Sequence, residues 1–353
     1  MTRAVNRVVH RALDPTADPT ADPTVDPTVD PAVVEVAEVD LSTQVAGLRL
    51  PDPVMTASGC AAAGRELEPF LDLTAIGAVV TKSILREPRA GRPTPRMVET
   101  PSGMLNSIGL QGPGIDSFLA TDLPWLVKHG ARPVVSIAGG SLGEFAELAR
   151  RVGTAPGVAA VEVNISCPNV EDCGLVFACD PLQASRVISA VRRDVPRDIP
   201  VLAKLSPDVT SIVEIAESVL QAGASGLSMV NTLLGLAMDP DTLAPRLGGV
   251  TGGLSGPAIR PVALRCVWQV AQVMPDVPIV GVGGIRTGFD ALEFLLAGAS
   301  AVQVGTVTFG DPGAPSRVSR ELRTELAARG IARLSDVVGL AHRGGLAALE
   351  PRP

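Results

Sequence analysis

From about residue 50 onward, short β-branched runs alternate with longer segments in which apolar residues recur every three or four positions. The short runs predict strands at 54–58, 78–83, 133–138, 159–165, 201–205, 226–230, 278–282 and 301–305. The segments between them predict helices at 116–129, 142–152, 181–194, 209–222, 258–273, 287–297 and 315–328. Ser141 stands ahead of Phe145, Leu148 and Ala149 with Glu144 at capping-box spacing. After Asp208, residues Ile212, Ile215, Ala216 and Val219 form an i, i+3, i+4, i+7 stripe, and Gly223 supplies a stop. Eight strands separated by helices imply an α/β fold with a parallel sheet, most simply closed into a (β/α)8 TIM barrel. An open doubly wound sheet is the alternative.

Two stretches depart from this rhythm. Residues 84–115 are too long for an ordinary strand-to-helix loop and carry five prolines as well as Gly91, Gly103 and Gly109. An insertion after the second strand is expected to lie over the C-terminal mouth of the barrel. Between residues 14 and 31, Asp-Pro recurs every fourth position, as in Asp14-Pro15, Asp18-Pro19 and Asp22-Pro23. Each proline removes a donor and biases its predecessor away from helix, and no apolar face forms. Residues 1–38 are therefore expected to be a disordered acidic tail, either a tether or an uninformative extension, and 39–353 a single barrel domain.

Composition narrows the picture. Hydrophobic residues make up 46% of the 353 residues but aromatics only 3%, so the core must be aliphatic, as in helix-covered parallel sheets. The net charge of −7 sits mostly in residues 1–40, which carry −5, leaving −2 for the rest. A nearly neutral body has no strong field for nucleic acid or a membrane surface. No apolar run approaches the roughly 18 residues of a membrane span, and Arg3, Arg7 and Arg11 precede no apolar signal core, so a cytoplasmic protein is expected. Five cysteines without a secretion signal argue against a disulfide framework. Cys167, Cys173 and Cys179 recur every six residues, but no C-x-x-C pair exists and the histidines are scattered at 10, 129 and 342, so no metal site is expected.

In a barrel, chemistry gathers at the C-terminal ends of the strands. Those ends offer Ala57 and Ser58, then Lys82, then Asn164, Cys167 and Asn169, then Lys204, then Val230, Asn231 and Thr232. Strands 7 and 8 end in Gly283-Gly284 and Gly305-Thr306, and the insertion adds Asn106. Two lysines within apolar strands need an anionic partner, because a buried unpaired ammonium is costly. Glycines after the last two strands present backbone N–H groups to a phosphate. The asparagines offer donor and acceptor without charge, which suits a ring with alternating carbonyl and N–H groups such as a pyrimidine. Cys167 is the acid/base candidate beside such a ring, and no histidine partner for a nucleophilic thiol is evident.

Several stretches carry a family resemblance. They include Glu87-Pro88-Arg89-Ala90-Gly91-Arg92-Pro93-Thr94-Pro95-Arg96, Ser102-Gly103-Met104-Leu105-Asn106 and Asn164-Ile165-Ser166-Cys167-Pro168-Asn169. Further stretches are Val230-Asn231-Thr232-Leu233-Leu234-Gly235 and Gly252-Gly253-Leu254-Ser255-Gly256-Pro257. Over roughly residues 38–345 the chain resembles the dihydroorotate dehydrogenases, specifically the class 1B catalytic subunits. The resemblance implies FMN across the barrel mouth, with its phosphate at Gly283, Gly284, Gly305 and Thr306 and with Gly256 close to the cofactor. Ala57, Ser58, Lys82, Asn164 and Val230 would contact the flavin, and Lys204 would lie at its N1–C2 carbonyl edge. Lys82, Asn106, Asn164, Asn169, Asn231 and Thr232 would hold dihydroorotate. Cys167 would act as general base, taking the C5 proton while hydride leaves C6 for the flavin, in de novo pyrimidine synthesis.

The same resemblance implies a homodimer within an α2β2 heterotetramer. A partner subunit carrying FAD and a [2Fe–2S] cluster would pass the electrons to NAD+. Where the family often has a glycine-rich loop, this chain has Glu171-Asp172-Cys173-Gly174. Alternatives are a class 1A enzyme using fumarate, a dihydropyrimidine dehydrogenase-type domain acting on uracil, and a catalytically silent FMN scaffold.

Overall fold

A computed structural model of the chain describes residues 34–165 and 179–349. The Asp-Pro repeats, Cys167, Cys173 and Asn169 lie outside the described residues. The strands run in chain order as β1 (Thr43–Val45), β2 (Leu48–Leu50), β3 (Val54–Thr56), β4 (Val79–Val80), β5 (Met97–Thr100), β6 (Gly103–Asn106) and β7 (Pro133–Ile137). They continue as β8 (Ala160–Asn164), β9 (Val201–Leu205), β10 (Gly226–Met229), β11 (Leu233–Gly235), β12 (Gly252–Ser255), β13 (Ile279–Val282) and β14 (Ala301–Val304). The helices are α1 (Gly114–Ser117), α2 (Leu123–Lys128), α3 (Leu142–Gly153), α4 (Pro181–Asp194), α5 (Ile212–Gln221), α6 (Arg260–Val273), α7 (Gly288–Leu296) and α8 (Ala314–Ala327).

Eight strands form one parallel sheet in the order β3-β14-β13-β10-β9-β8-β7-β4. Its two ends meet: Gly77 N–H donates to Val54 O at 2.8 Å and Thr56 N–H to Ala78 O at 3.2 Å. The sheet is thus a nearly closed TIM barrel, and all eight barrel strands fall inside the segments expected from the sequence. The two-residue period of a strand sorts the side chains into two cores. Val161 and Val163 of β8, and Val201, Ala203 and Leu205 of β9, pack outward under the helices. Ala160 and Leu202, from the alternate positions, pack with Met55, Val134, Val280 and Ala301 in a separate cluster along the axis.

Local signals explain most helix starts. The Ser141 hydroxyl accepts from Glu144 N–H at 3.3 Å, as its spacing predicts. The α5 cap is Ser211, which accepts from Glu214 N–H at 3.3 Å. Asp208 instead accepts from Leu234 N–H at 2.8 Å and ties a barrel loop to the roof of the mouth. The helix expected at 116–129 is two short helices joined by a π turn over Phe118–Asp122.

Two small sheets were not anticipated from the pattern. The β1–β2 hairpin plugs the N-terminal end of the barrel with Val45 and Leu50, and Thr43 donates to Ser300 O at 2.8 Å. The insertion is not a loop but the β5–β6 hairpin, which joins β12 and β11 in an antiparallel sheet of order β11-β12-β6-β5. These strands are short and rich in glycine, so they lack the β-branched runs that announce the barrel.

Candidate active site

One cavity of about 990 Å³ opens at the C-terminal ends of the barrel strands. Fourteen of the sixteen residues proposed from the sequence line it; the other two, Cys167 and Asn169, lie outside the described residues. Ala57, Ser58 and Lys82 enter from the ends of β3 and β4. Asn164, Lys204, Val230, Asn231 and Thr232 enter from β8, β9 and β10. Asn106 descends from the roof.

One wall is built of backbone. Gly256, Gly283, Gly284, Gly305 and Thr306 bring three chain segments together there. Gly284 has φ +75°, and a Cβ on it would stand 2.8 Å from Gly256 O. Gly256 has φ +87°, and a Cβ there would lie 2.9 Å from Gly103 Cα. Any other residue at either position would need both a left-handed backbone and space that is already filled. The Thr306 hydroxyl donates to Ser255 Oγ at 2.8 Å, fixing the short 3-10 turn after β14 against the roof.

The opposite wall is a hydrogen-bonded relay of small polar groups. Asn164 Nδ2 donates to Ser83 Oγ at 3.0 Å, and Ser83 pairs with Ser136 Oγ at 3.0 Å. Asn231 Nδ2 lies 3.4 Å from Asn164 Oδ1, while Asn231 Oδ1 accepts from Thr232 N–H at 2.8 Å. Asn106 Nδ2 donates to Gly253 O at 3.2 Å. Gly253 is required where it stands, since a Cβ there would fall 2.1 Å from Thr232 Oγ1. These bonds hold three asparagine amides around one face of the cavity, offering both donors and acceptors to a planar ring.

The floor carries charge. Lys204 is 5% exposed, and its Nζ donates to Gln303 Oε1 at 3.1 Å. Glu162, fully buried, lies 3.9 Å from Lys204 through Oε2 and accepts at that oxygen from Gln303 Nε2 and Ser228 Oγ, both at 2.8 Å. Burial pushes the Lys204 ammonium below its ordinary pKa, and Glu162 pulls it back up. The Cys60 thiol, beside Gly305, is pushed up to about 11 by burial, against the pull of Lys82 and Lys204.

Glu162, Gln303, Ser228 and Cys60 are absent from the residues proposed from the sequence. A signal for two of them was present: Glu162 within Ala-Val-Glu-Val-Asn and Gln303 within Ala-Val-Gln-Val are polar residues inside buried apolar strands. Such positions demand a partner. The donor set fits FMN. A backbone-lined wall suits a phosphate, a buried ammonium suits an electron-rich ring edge, and one buried oxygen, Glu162 Oε1, has no hydrogen-bond partner among the described residues.

A parallel barrel with a cavity at its C-terminal mouth, lined by a few convergent polar groups, is the architecture of the α/β-barrel enzymes. Within them, this chain belongs to the dihydroorotate dehydrogenase family, whose model, described as "Dihydroorotate dehydrogenase", matches residues 40–326. A relative from Geobacter sulfurreducens is 52% identical over 300 residues, covering 85% of this chain and 97% of its own length. One from Geotalea daltonii is 50% identical over 304 residues, covering 86% and 99%. One from Desulforudis audaxviator is 47% identical over 308 residues, covering 87% and 99%. All three are named "Dihydroorotate dehydrogenase B (NAD(+)), catalytic subunit".

Proposed function

We propose that the chain is the catalytic subunit of an NAD+-linked dihydroorotate dehydrogenase, oxidising (S)-dihydroorotate to orotate in pyrimidine biosynthesis. The observation that carries this reading is the convergence of Lys82, Asn106, Asn164, Asn231, Thr232 and Lys204 on one cavity with a glycine-lined wall. FMN, when bound, supplies the two-electron chemistry of the reaction. Gly256, Gly283, Gly284, Gly305 and Thr306 would hold its phosphate end, with Ala57, Ser58 and Val230 against the ring. Lys204 would offset negative charge that develops at the ring edge on reduction.

Asn106, Asn164, Asn231 and Thr232, together with Asn169, would hold the dihydroorotate ring through its amide groups, and Lys82 would meet its carboxylate. Cys167 would take the C5 proton. A partner subunit with FAD and a [2Fe–2S] cluster, in an α2β2 assembly around a dimer of this chain, would carry the electrons on to NAD+. Among the described residues no helix is long and apolar enough to cross a membrane.

The test is to purify the chain alone, record its flavin spectrum, and add dihydroorotate without oxygen. Bleaching of the flavin, with turnover on an artificial dye but not on NAD+ or fumarate, is the expected result. Turnover with fumarate would reassign the electron route to the partner-free type. A yellow protein that dihydroorotate does not bleach would overturn the substrate.

A further inference from the structure

We infer that Glu162 is the counter-ion that keeps Lys204 a cation before any electron arrives, with Gln303 fixing the geometry between them. The inference rests on the flavin reading above. It makes Glu162 a positioning residue, acting on the cofactor through Lys204.

The wiring is directional. Gln303 Nε2 is committed to the Glu162 carboxylate at 2.8 Å. An amide has its donors and its acceptor at opposite corners, so this bond turns Gln303 Oε1 toward Lys204, 3.1 Å away. Ser228 Oγ donates to the same carboxylate oxygen at 2.8 Å and fixes it from β10. Glu162, Ser228 and Gln303 therefore form a rigid socket drawn from β8, β10 and β14, and Lys204 of β9 stands in it. Such a socket is not what packing alone requires, because apolar residues fill the barrel axis one layer below.

The charges decide what the socket does. A buried amine in apolar surroundings favours its neutral form. Among the described residues, the other titratable group that acts on Lys204 is Cys60, which in turn feels Lys82. Cys60, with a pKa of about 11, is a neutral thiol near pH 7, and Lys82 bears the same sign as Lys204. Among the described residues Glu162 is the negative charge within ion-pair distance of Lys204. With Glu162 in place, Lys204 rests as an ammonium. Reduction of a flavin held there by two electrons and one proton would add one net negative charge, which Lys204 would offset without a second proton. Without Glu162, Lys204 rests as an amine and takes up the second proton itself.

The experiment counts protons. The flavin-loaded full chain is reduced stepwise with dithionite in the presence of reference dyes, and the midpoint is read from its spectrum between pH 6 and pH 9. Wild type is expected to change its reduction equilibrium tenfold per pH unit, about 30 mV for a two-electron couple. Glu162→Gln is expected to change it a hundredfold per pH unit, about 60 mV. A variant that keeps the wild-type slope overturns the inference. So does a wild-type slope of a hundredfold per pH unit, which decides the matter even where the variant does not fold. Absence of a flavin spectrum from wild type after reconstitution with FMN removes the cofactor reading and this inference with it, before any titration.

Discussion

The inside of this barrel has two layers, made by the same strands one inward step apart. Ala160 lies below Glu162, Leu202 below Lys204, and Ala301 below Gln303. The lower layer is aliphatic and stoppered by Val45 and Leu50 of the β1–β2 hairpin. The upper layer is a hydrogen-bonded ionic network. Two residues of chain separate the part that holds the barrel together from the part that works on a ligand. Burial is nearly the same in both layers, so burial does not tell them apart; the partners do.

The comparison can be broken most severely at Val134. Placing an ammonium in the lower layer by Val134→Lys puts a charge between paired neighbours, Val80 and Ala160, that are both apolar. It is expected to cost on the order of 4 kcal/mol in urea unfolding. Next is Lys204→Met, which strands the buried Glu162 and is expected to cost about 3 kcal/mol. Adding Glu162→Gln to Lys204→Met should recover most of that loss, since a buried ion pair replaced as a whole is close to neutral. Failure of the double variant to recover would mean that the upper layer, like the lower, is there for stability.

Cys60 gives a chemical probe of the upper layer. With its pKa pushed up to about 11 by burial, it should react with iodoacetamide at pH 8 roughly 100-fold more slowly than an ordinary thiol. The rate should still climb tenfold per pH unit from pH 8 to pH 9.5, where an ordinary thiol is levelling off; peptide mass spectrometry reads both. The smallest effect belongs outside the barrel. Ser211→Ala removes the α5 cap and should cost about 1 kcal/mol, with the flavin spectrum unchanged.

The lower layer and the outer core were legible because period-two runs such as Val201, Ala203 and Leu205 repeat eight times at helical spacing. Lys204 and the asparagines were legible as polar residues at strand ends. Glu162 and Gln303 were not singled out, although a lone polar residue in an apolar strand is a physical anomaly. Their meaning depends on which strands become neighbours, and that is fixed only when the barrel closes. The roof escaped for a different reason. Its strands come from segments near residues 100 and 250, and each half is too short and too glycine-rich to announce a partner more than a hundred residues away.

Val39 and Asp40 are tied to the same lower end of the barrel. Asp40 pairs with Arg333 beyond α8, and Val39 O accepts from Arg323 near the end of that helix, on the side away from the mouth. A surface, bead or electrode linker fused at this point would grip the molecule by its sealed base. The mouth would then face outward. That gives a built-in handle for displaying the protein in one orientation, so that immobilised molecules meet small reactants and large protein partners alike from the open side.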